Sequence, residues 1–426
     1  MGRTAAGHLS RGDWEAQVSR SEVVYLVSRF PVTSETFIVR EIEALDRLGR
    51  FDLELRSLFP SPDRPVHDVA RGWNQRLVRP TATAALAGLA WAGLTRPLAL
   101  LSVLARVCAA YRRPALLVRA LTTVVIACAH ARDFARRPRR RHVHAHYATY
   151  PALAAWVCHQ LADTPYSFTV HAHDLYVDTS MLDRKIADAQ FVVTISNYNR
   201  SLLERNNPRH TPIHVIHAGI DTAAYHFRPR AVPAEGPVRA LTVASLQAYK
   251  GHAMLLEALA MGGPATDRIT LDLIGDGVLR TDLERLVDRL GLGSRVRFLG
   301  SCGEDDVRTA LDAADLFVLP SIVAHNGQME GLPVALMEAL ASGVPTVSTE
   351  LSGIPEIVID GVTGLLALPG DPASLNRTMV AMLERGSTTI ALAEAGRALV
   401  TEQFDLRETI SALSELLAEN LPPARS

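Results

Sequence analysis

Short apolar runs rich in β-branched residues recur along this chain, each followed by a helix-length stretch, and the rhythm stops once and then restarts. Runs at residues 23–27, 167–170, 191–195 and 215–216, together with 52–58 and the period-two alternation at 141–146, predict the strands of a first half. Runs at 240–243, 270–274, 296–299, 316–319 and 346–348 predict those of a second. The first run, Val23-Val24-Tyr25-Leu26-Val27, is apolar throughout, which suits a strand buried on both faces of a parallel sheet. Strand, loop, helix, strand in that order is a βαβ unit. Between the halves, residues 227–237 carry three prolines and mixed charge and predict a linker. The expected fold class is α/β, with two Rossmann-like doubly wound domains, 1–226 and 227–404, facing across a cleft. A C-terminal helix at 405–426 is expected to pack back on the first domain. Open parallel sheets bind ligands at strand carboxyl ends, so such a cleft suits a two-substrate enzyme.

Composition narrows the class further. A net charge of −1 predicts no global attraction to nucleic acid. Four cysteines, Cys108, Cys128, Cys158 and Cys302, show no paired spacing, which fits a reducing cytoplasm. Residues 1–20 lack the apolar run of a signal peptide. No stretch reaches the roughly 18 to 20 uninterrupted apolar residues of a membrane-spanning helix. Of 44 basic residues only Lys185 and Lys250 are lysine, a hint that these two need to be.

The segment 327–338 is the most informative for chemistry. Pro333 sets φ for a helix start, and Gly343 with Pro345 marks its end. Gly331 and Leu332 then offer N–H groups beside the positive end of a helix dipole, a good diphosphate site. Glu330 lies in the loop before that helix, where it can face a sugar, and Glu338 lies inside the helix, where it can accept ribose hydroxyls.

The Glu-x7-Glu pattern inside EGLPVALMEALASGVPTVST resembles the signature of the GT-B glycosyltransferase family 4 (group 1). LTVASLQAYKGHAMLLEAL, LIGDGVLRTDLERL, VRFLGSCGEDDV, ADLFVLPS and SGIPEIVIDGVTGLL extend the resemblance in the expected order. SRFPVTSETFIVREIEAL, HVHAHYA and FTVHAHDLY are similar to its exopolysaccharide, colanic-acid-type branch. The resemblance implies a retaining, metal-independent transfer from a UDP- or GDP-sugar to a glycan or lipid-linked acceptor, with no cofactor. By the same resemblance Lys250 binds the donor diphosphate, Glu330 the transferred sugar and Glu338 the ribose. Gly275 and Gly277 admit the nucleotide, and Arg297 and Phe298 lie near the base. His171, directly after a strand, faces the acceptor hydroxyl and reacting sugar. Thr33, Ser34, His146 and Asp174 are expected on the acceptor side.

There are departures from the family pattern. Ser245 stands where one of two diphosphate cations is usual, and His217-Ala218-Gly219 replaces the usual Pro-Asn-Gly. The N-terminal glycine-rich loop is replaced by Pro31-Val32-Thr33-Ser34. His142, His144 and His146 share one strand face and could ligate a metal, yet no carboxylate or cysteine cluster accompanies them in sequence, so no metal is expected. Double displacement needs a carboxylate opposite the anomeric carbon, and the resemblance places none there; front-face attack is the expected path.

Residues 81–141 belong to neither rhythm. They form apolar helices broken at Pro97 and Pro114, and between Arg96 and Arg141 eleven arginines face one acid, Asp133. Two alternatives stand: an interfacial helix pair drawn to an anionic membrane surface at the inner face of the plasma membrane, or an ordinary subdomain packed on the first sheet. Rival functions are another GT-B enzyme, an epimerase or phosphorylase, and a non-catalytic scaffold. A pyridoxal-phosphate phosphorylase needs a Schiff-base lysine, and Lys250 alone is available in the second half.

Overall fold

A computed structural model describes residues 21–32, 36–61, 68–137 and 140–421. The first sheet comprises β1 (Glu22–Val27), β2 (Asp52–Ser57), β3 (Arg141–His146), β4 (Tyr166–Val170), β5 (Phe191–Thr194) and β6 (Ile213–Val215). Its order is β2-β1-β3-β4-β5-β6, parallel throughout. The second comprises β7 (Val238–Val243), β8 (Ile269–Ile274), β9 (Val296–Gly300), β10 (Leu316–Leu319), β11 (Thr346–Thr349) and β12 (Leu365–Ala367). Its parallel order is β12-β11-β10-β7-β8-β9. The direction of winding reverses between β1 and β3 and between β7 and β10, so each sheet opens a crevice at those strand ends. The three-residue β12 has no counterpart among the predicted runs.

Helix α1 (Thr36–Arg47) buries Ile38, Ile42 and Leu45. Residues 82–136 form α2 (Ala82–Thr95), α3 (Pro97–Ala110) and α4 (Pro114–Arg136), with Pro97 and Pro114 at the first positions, where a missing N–H costs nothing. A Cβ on Gly88 of α2 would lie 2.4 Å from the Ala129 nitrogen of α4, so glycine is what lets these helices cross so closely. The buried face of α4, with Ala120, Val124, Ala127 and Ala131, shares a core with Val24 and Leu26 of β1 and Val143 and Ala145 of β3. The 23 residues of α4 are long and apolar enough to cross a membrane, although no uninterrupted apolar run marks them, and 44% of the most apolar window is buried in the protein.

The other face of the first sheet, with Val23, Tyr25 and Val27, is covered by α1 and by the last helix, Leu406–Glu419, through Ile410, Leu413 and Leu417. The chain therefore crosses between the domains twice, and the crossings run side by side. Ile220 donates its N–H to the Phe404 carbonyl and its own carbonyl accepts from Leu406, both at 2.9 Å. A Cβ on Gly219 would fall 2.6 Å from the Leu406 Cα, which gives the glycine of His217-Ala218-Gly219 a steric reason.

Candidate functional site

At the second crevice the sequence-predicted residues are brought together by three strand exits. The loop after β7 ends in a short turn, Ala248–Lys250, that delivers Lys250. The segment between β10 and the helix Val334–Ala341 delivers Glu330. The two form a direct ion pair. Burial works against the Lys250 ammonium, but the neighbouring carboxylate holds its pKa above the usual lysine range. Pro333 stands at the N-cap position and the helix runs Val334–Ala341, as expected from the sequence. The Gly331 and Leu332 amides donate to no group among the described residues, which leaves them available to an anion.

Glu338 lies one turn into that helix, buried, and accepts from the Tyr225 hydroxyl at 2.8 Å. Burial raises its pKa against the pull of Arg40, whose guanidinium reaches from α1 of the first domain to 3.8 Å of Glu338 and 2.6 Å of Glu304. Gly275, at φ +135°, and Gly277 pack the loop after β8 against the loop after β7, where Cβ atoms would meet the Ala244 and Leu246 carbonyls at 1.9 and 2.7 Å. The carbonyl of Ser245 accepts from His252 at 3.1 Å. Arg297 is 72% exposed on β9 and pairs with Asp272 through two 2.7 Å bonds. Phe298, on the other strand face, lies 5.0 Å under the Arg280 guanidinium.

The first domain answers with His171, directly after β4. Asp174 is fully buried, and its two oxygens accept the backbone N–H groups of Ala148, His171 and Ala172 at 2.7 to 3.3 Å. Asp174 thus holds the His171 loop in place from inside rather than reaching outward. Lys185, also buried, donates to the Ala148 carbonyl, which explains the second of the two lysines. His173 is exposed. His146 does not point outward: it lies 3.2 Å from the His171 ring on one side and 2.9 Å from Glu41 on the other. Thr33 and Ser34 lie outside the described residues.

The loops meet. A Cβ on Gly331 would lie 3.1 Å from the His171 carbonyl and 3.2 Å from the Ala172 Cβ, so the loop carrying Glu330 rests on the loop carrying His171.

Glu41, Tyr25, Arg40 and Tyr225 were not among the predicted site residues. One signal for Glu41 was available: it is three residues after Ile38 and four before Leu45, on the buried face of α1. With His144 and His146 it forms a set of groups within 4.8 Å of one another that could hold a metal ion. Those atoms are already committed, His144 to the Ser167 and Thr169 hydroxyls at 2.8 and 2.9 Å and His146 to His171 and Glu41.

A family model described as Glycosyl transferases group 1 matches residues 226–399, and one described as Glycosyltransferase Family 4 matches residues 55–224. The chain is 34% identical over 205 residues to the amylovoran biosynthesis glycosyltransferase AmsK of Erwinia amylovora, covering 48% of this chain and 50% of that one. It is 32% identical over 206 residues to the putative colanic acid biosynthesis glycosyltransferase WcaL of Escherichia coli K12, again 48% and 50%. The match thus spans about half the length of these relatives. Among solved structures, Anabaena HepE in complex with UDP superposes with a TM-score of 0.69 at 17% identity, covering 93% of this chain and 100% of that one. Sucrose-phosphate synthase of Thermosynechococcus elongatus does so at 0.69 and 20%, covering 94% and 99%. The group 1 model spans β7 to β12 and the Family 4 model spans β3 to β6 with the end of β2, and the chain belongs to the GT-B glycosyltransferases of family 4, group 1.

Proposed function

We propose that the protein is a retaining glycosyltransferase that moves a sugar from a UDP- or GDP-sugar to a glycan or lipid-linked acceptor in exopolysaccharide or glycolipid biosynthesis. The observation that carries this reading is the meeting of Lys250, Glu330 and the free Gly331 and Leu332 amides against the His171 loop. A cation and a helix N-terminus stand together where a departing diphosphate would gain charge. Glu330 is then the partner of the transferred sugar, and Glu338 of the ribose. Binding the donor exchanges the Lys250–Glu330 pair for a Lys250–diphosphate contact. The acceptor attacks the face from which the diphosphate leaves, and a diphosphate oxygen takes the hydroxyl proton, so no protein nucleophile and no metal is required. That HepE was solved with UDP and with UDP-glucose supports a nucleotide-diphosphate donor. Thermal shifts against UDP-, GDP- and ADP-sugars test the reading. Stabilisation and turnover by one of them are expected, and indifference to all three classes contradicts it.

The same reading places the protein in the cytoplasm, peripheral to an anionic membrane. Leu86, Leu94, Leu98, Leu101 and Val118 are exposed on α2, α3 and α4, and Arg112 and Arg113 are exposed in the connection between α3 and α4. Apolar side chains flanked by arginine suit the boundary between headgroups and acyl chains. A lipid-linked acceptor is presented at that surface.

A further inference from the structure

The second domain by itself is short of positive charge for an anionic donor. Lys250 is the one cation in residues 244–251, the loop and turn after β7, and it stands against Glu330 with Glu338 further along the same crevice. A nucleoside diphosphate bears negative charge on both phosphoryl groups, which calls for more than one paired lysine. The arginines of the neighbouring elements are committed: Arg280 to Glu284, Arg297 to Asp272, and Arg308 to Asp305 and Glu304. Arg40 arrives from the other side of the cleft, one turn into α1. Its Nη2 donates to Glu304 at 2.6 Å, at the start of the helix Glu304–Ala313, and its Nη1 stands 3.8 Å from Glu338 Oε1. The second distance is too long for a hydrogen bond, so the Nε and Nη1 hydrogens have no acceptor among the described residues. Glu338 Oε1 accepts from Tyr225, while its Oε2 has no partner among the described residues. Both side chains keep an open edge, 23% exposed for Arg40 and 12% for Glu338.

We propose that Arg40 is a donor-binding residue supplied by the first domain: its guanidinium, tethered by Glu304, turns its free N–H groups to the phosphoryl oxygens of a nucleoside diphosphate whose ribose sits on Glu338. Side chains on a helix lean toward its N-terminus, so Glu338 leans toward the Gly331 and Leu332 amides, and a ribose on the one is a covalent neighbour of a diphosphate at the other. A planar guanidinium fits phosphoryl oxygens in pairs, which an ammonium does not. Burial works against the charge on Arg40, but Glu304 and Glu338 outweigh it and hold its pKa above the ordinary arginine value, so it stays a cation. Full donor affinity then requires the docked domains, because one of the two cations comes from each. The ligand rests on the glycosyltransferase reading, whereas the placement of Arg40 does not.

Calorimetric titration of the full chain with UDP and with GDP tests this, the free nucleoside being measured by competition against the diphosphate that binds. Arg40→Gln is expected to weaken the nucleoside diphosphate about tenfold or more, with the nucleoside within about twofold and Tm near wild type. Glu304→Gln breaks the same ion pair between the domains but removes a negative charge, so its affinity for the diphosphate is expected to hold or rise. Unchanged diphosphate affinity in Arg40→Gln, an equal loss for the nucleoside, or an equal loss in Glu304→Gln overturns the proposal and leaves the glycosyltransferase reading standing. Wild type that binds neither UDP nor GDP overturns that reading and this proposal with it.

Discussion

Glu356 of the second domain caps a helix of the first: its carboxylate accepts the backbone N–H groups of Asn197 and Tyr198 at 3.0 and 3.1 Å, at the start of the helix Asn197–Glu204. The Asn197 side chain adds a third bond at 3.0 Å, and His217 stands at 3.4 Å. A negative charge on a helix N-terminus is a favourable pairing, and here it spans two domains. The loop beside it is equally close, since a Cβ on Gly353 would lie 2.8 Å from the Gly331 carbonyl and 2.9 Å from the Ser196 Cβ.

Glu356→Gln is expected to loosen the docked domains by about 1 kcal/mol, seen as a lower Tm and a larger radius of gyration in solution scattering. The effect depends on pH with a definite sign. Burial opposes the charge on Glu356, but His217 and the two amides outweigh it and hold its pKa below the ordinary carboxylate value of 4.5. Its contribution is therefore fully present above about pH 4.5 and is lost as pH falls through the lower folded value. The Tm gap between wild type and Glu356→Gln should be largest near neutrality and close in acid. A gap that widens in acid contradicts the capping role.

Asp174→Asn turns one carboxylate oxygen into an amide group facing backbone donors. Because the residue is fully buried, a loss of about 2–4 kcal/mol is expected in denaturant unfolding. A change under about 0.5 kcal/mol would mean that these amides are satisfied another way.

Two glycines on α2 make opposite predictions. Gly88→Val forces side-chain atoms into the α4 backbone and should cost about 1–3 kcal/mol or more. Gly93→Ala meets only Leu100, at 4.0 Å, and should be neutral or stabilising by up to about 1 kcal/mol, as helical glycine-to-alanine changes are. Melting curves of the two variants check the crossing directly.

Leu94→Glu with Leu98→Glu changes two exposed side chains and should leave Tm nearly unaltered. Co-sedimentation with vesicles of anionic phospholipid at low salt should fall several-fold. Wild-type protein that stays in the supernatant contradicts the membrane proposal.

Much of the fold was legible because its signals are local. Apolar runs and period-two alternation marked eleven strands within a few residues, and Pro97 and Pro114 marked two helix starts. β12 was not, since three residues make no pattern. The donor residues were legible because Glu330 and Glu338 lie in one short segment around a helix start. Their partners were not: His146 and Glu41 are 105 residues apart, Tyr225 and Glu338 are 113, and Asn197 and Glu356 are 159. Only packed sheets bring such pairs together, and helical periodicity alone does not say that the buried face of α1 would meet a polar strand. The two lysines show the same limit, one a pair for Glu330 and the other a buried support for the Ala148 carbonyl.

The central claim is that the Lys250–Glu330 pair is the donor centre of a glycosyltransferase. The measurement that tests it most directly compares sugar transfer by wild type and Glu330→Gln, using the nucleotide-sugar that most stabilises the wild-type fold. A loss of transfer of about a hundredfold or more is expected, with Tm near wild type and affinity for the nucleoside diphosphate largely kept. Near-wild-type transfer by Glu330→Gln would contradict the account.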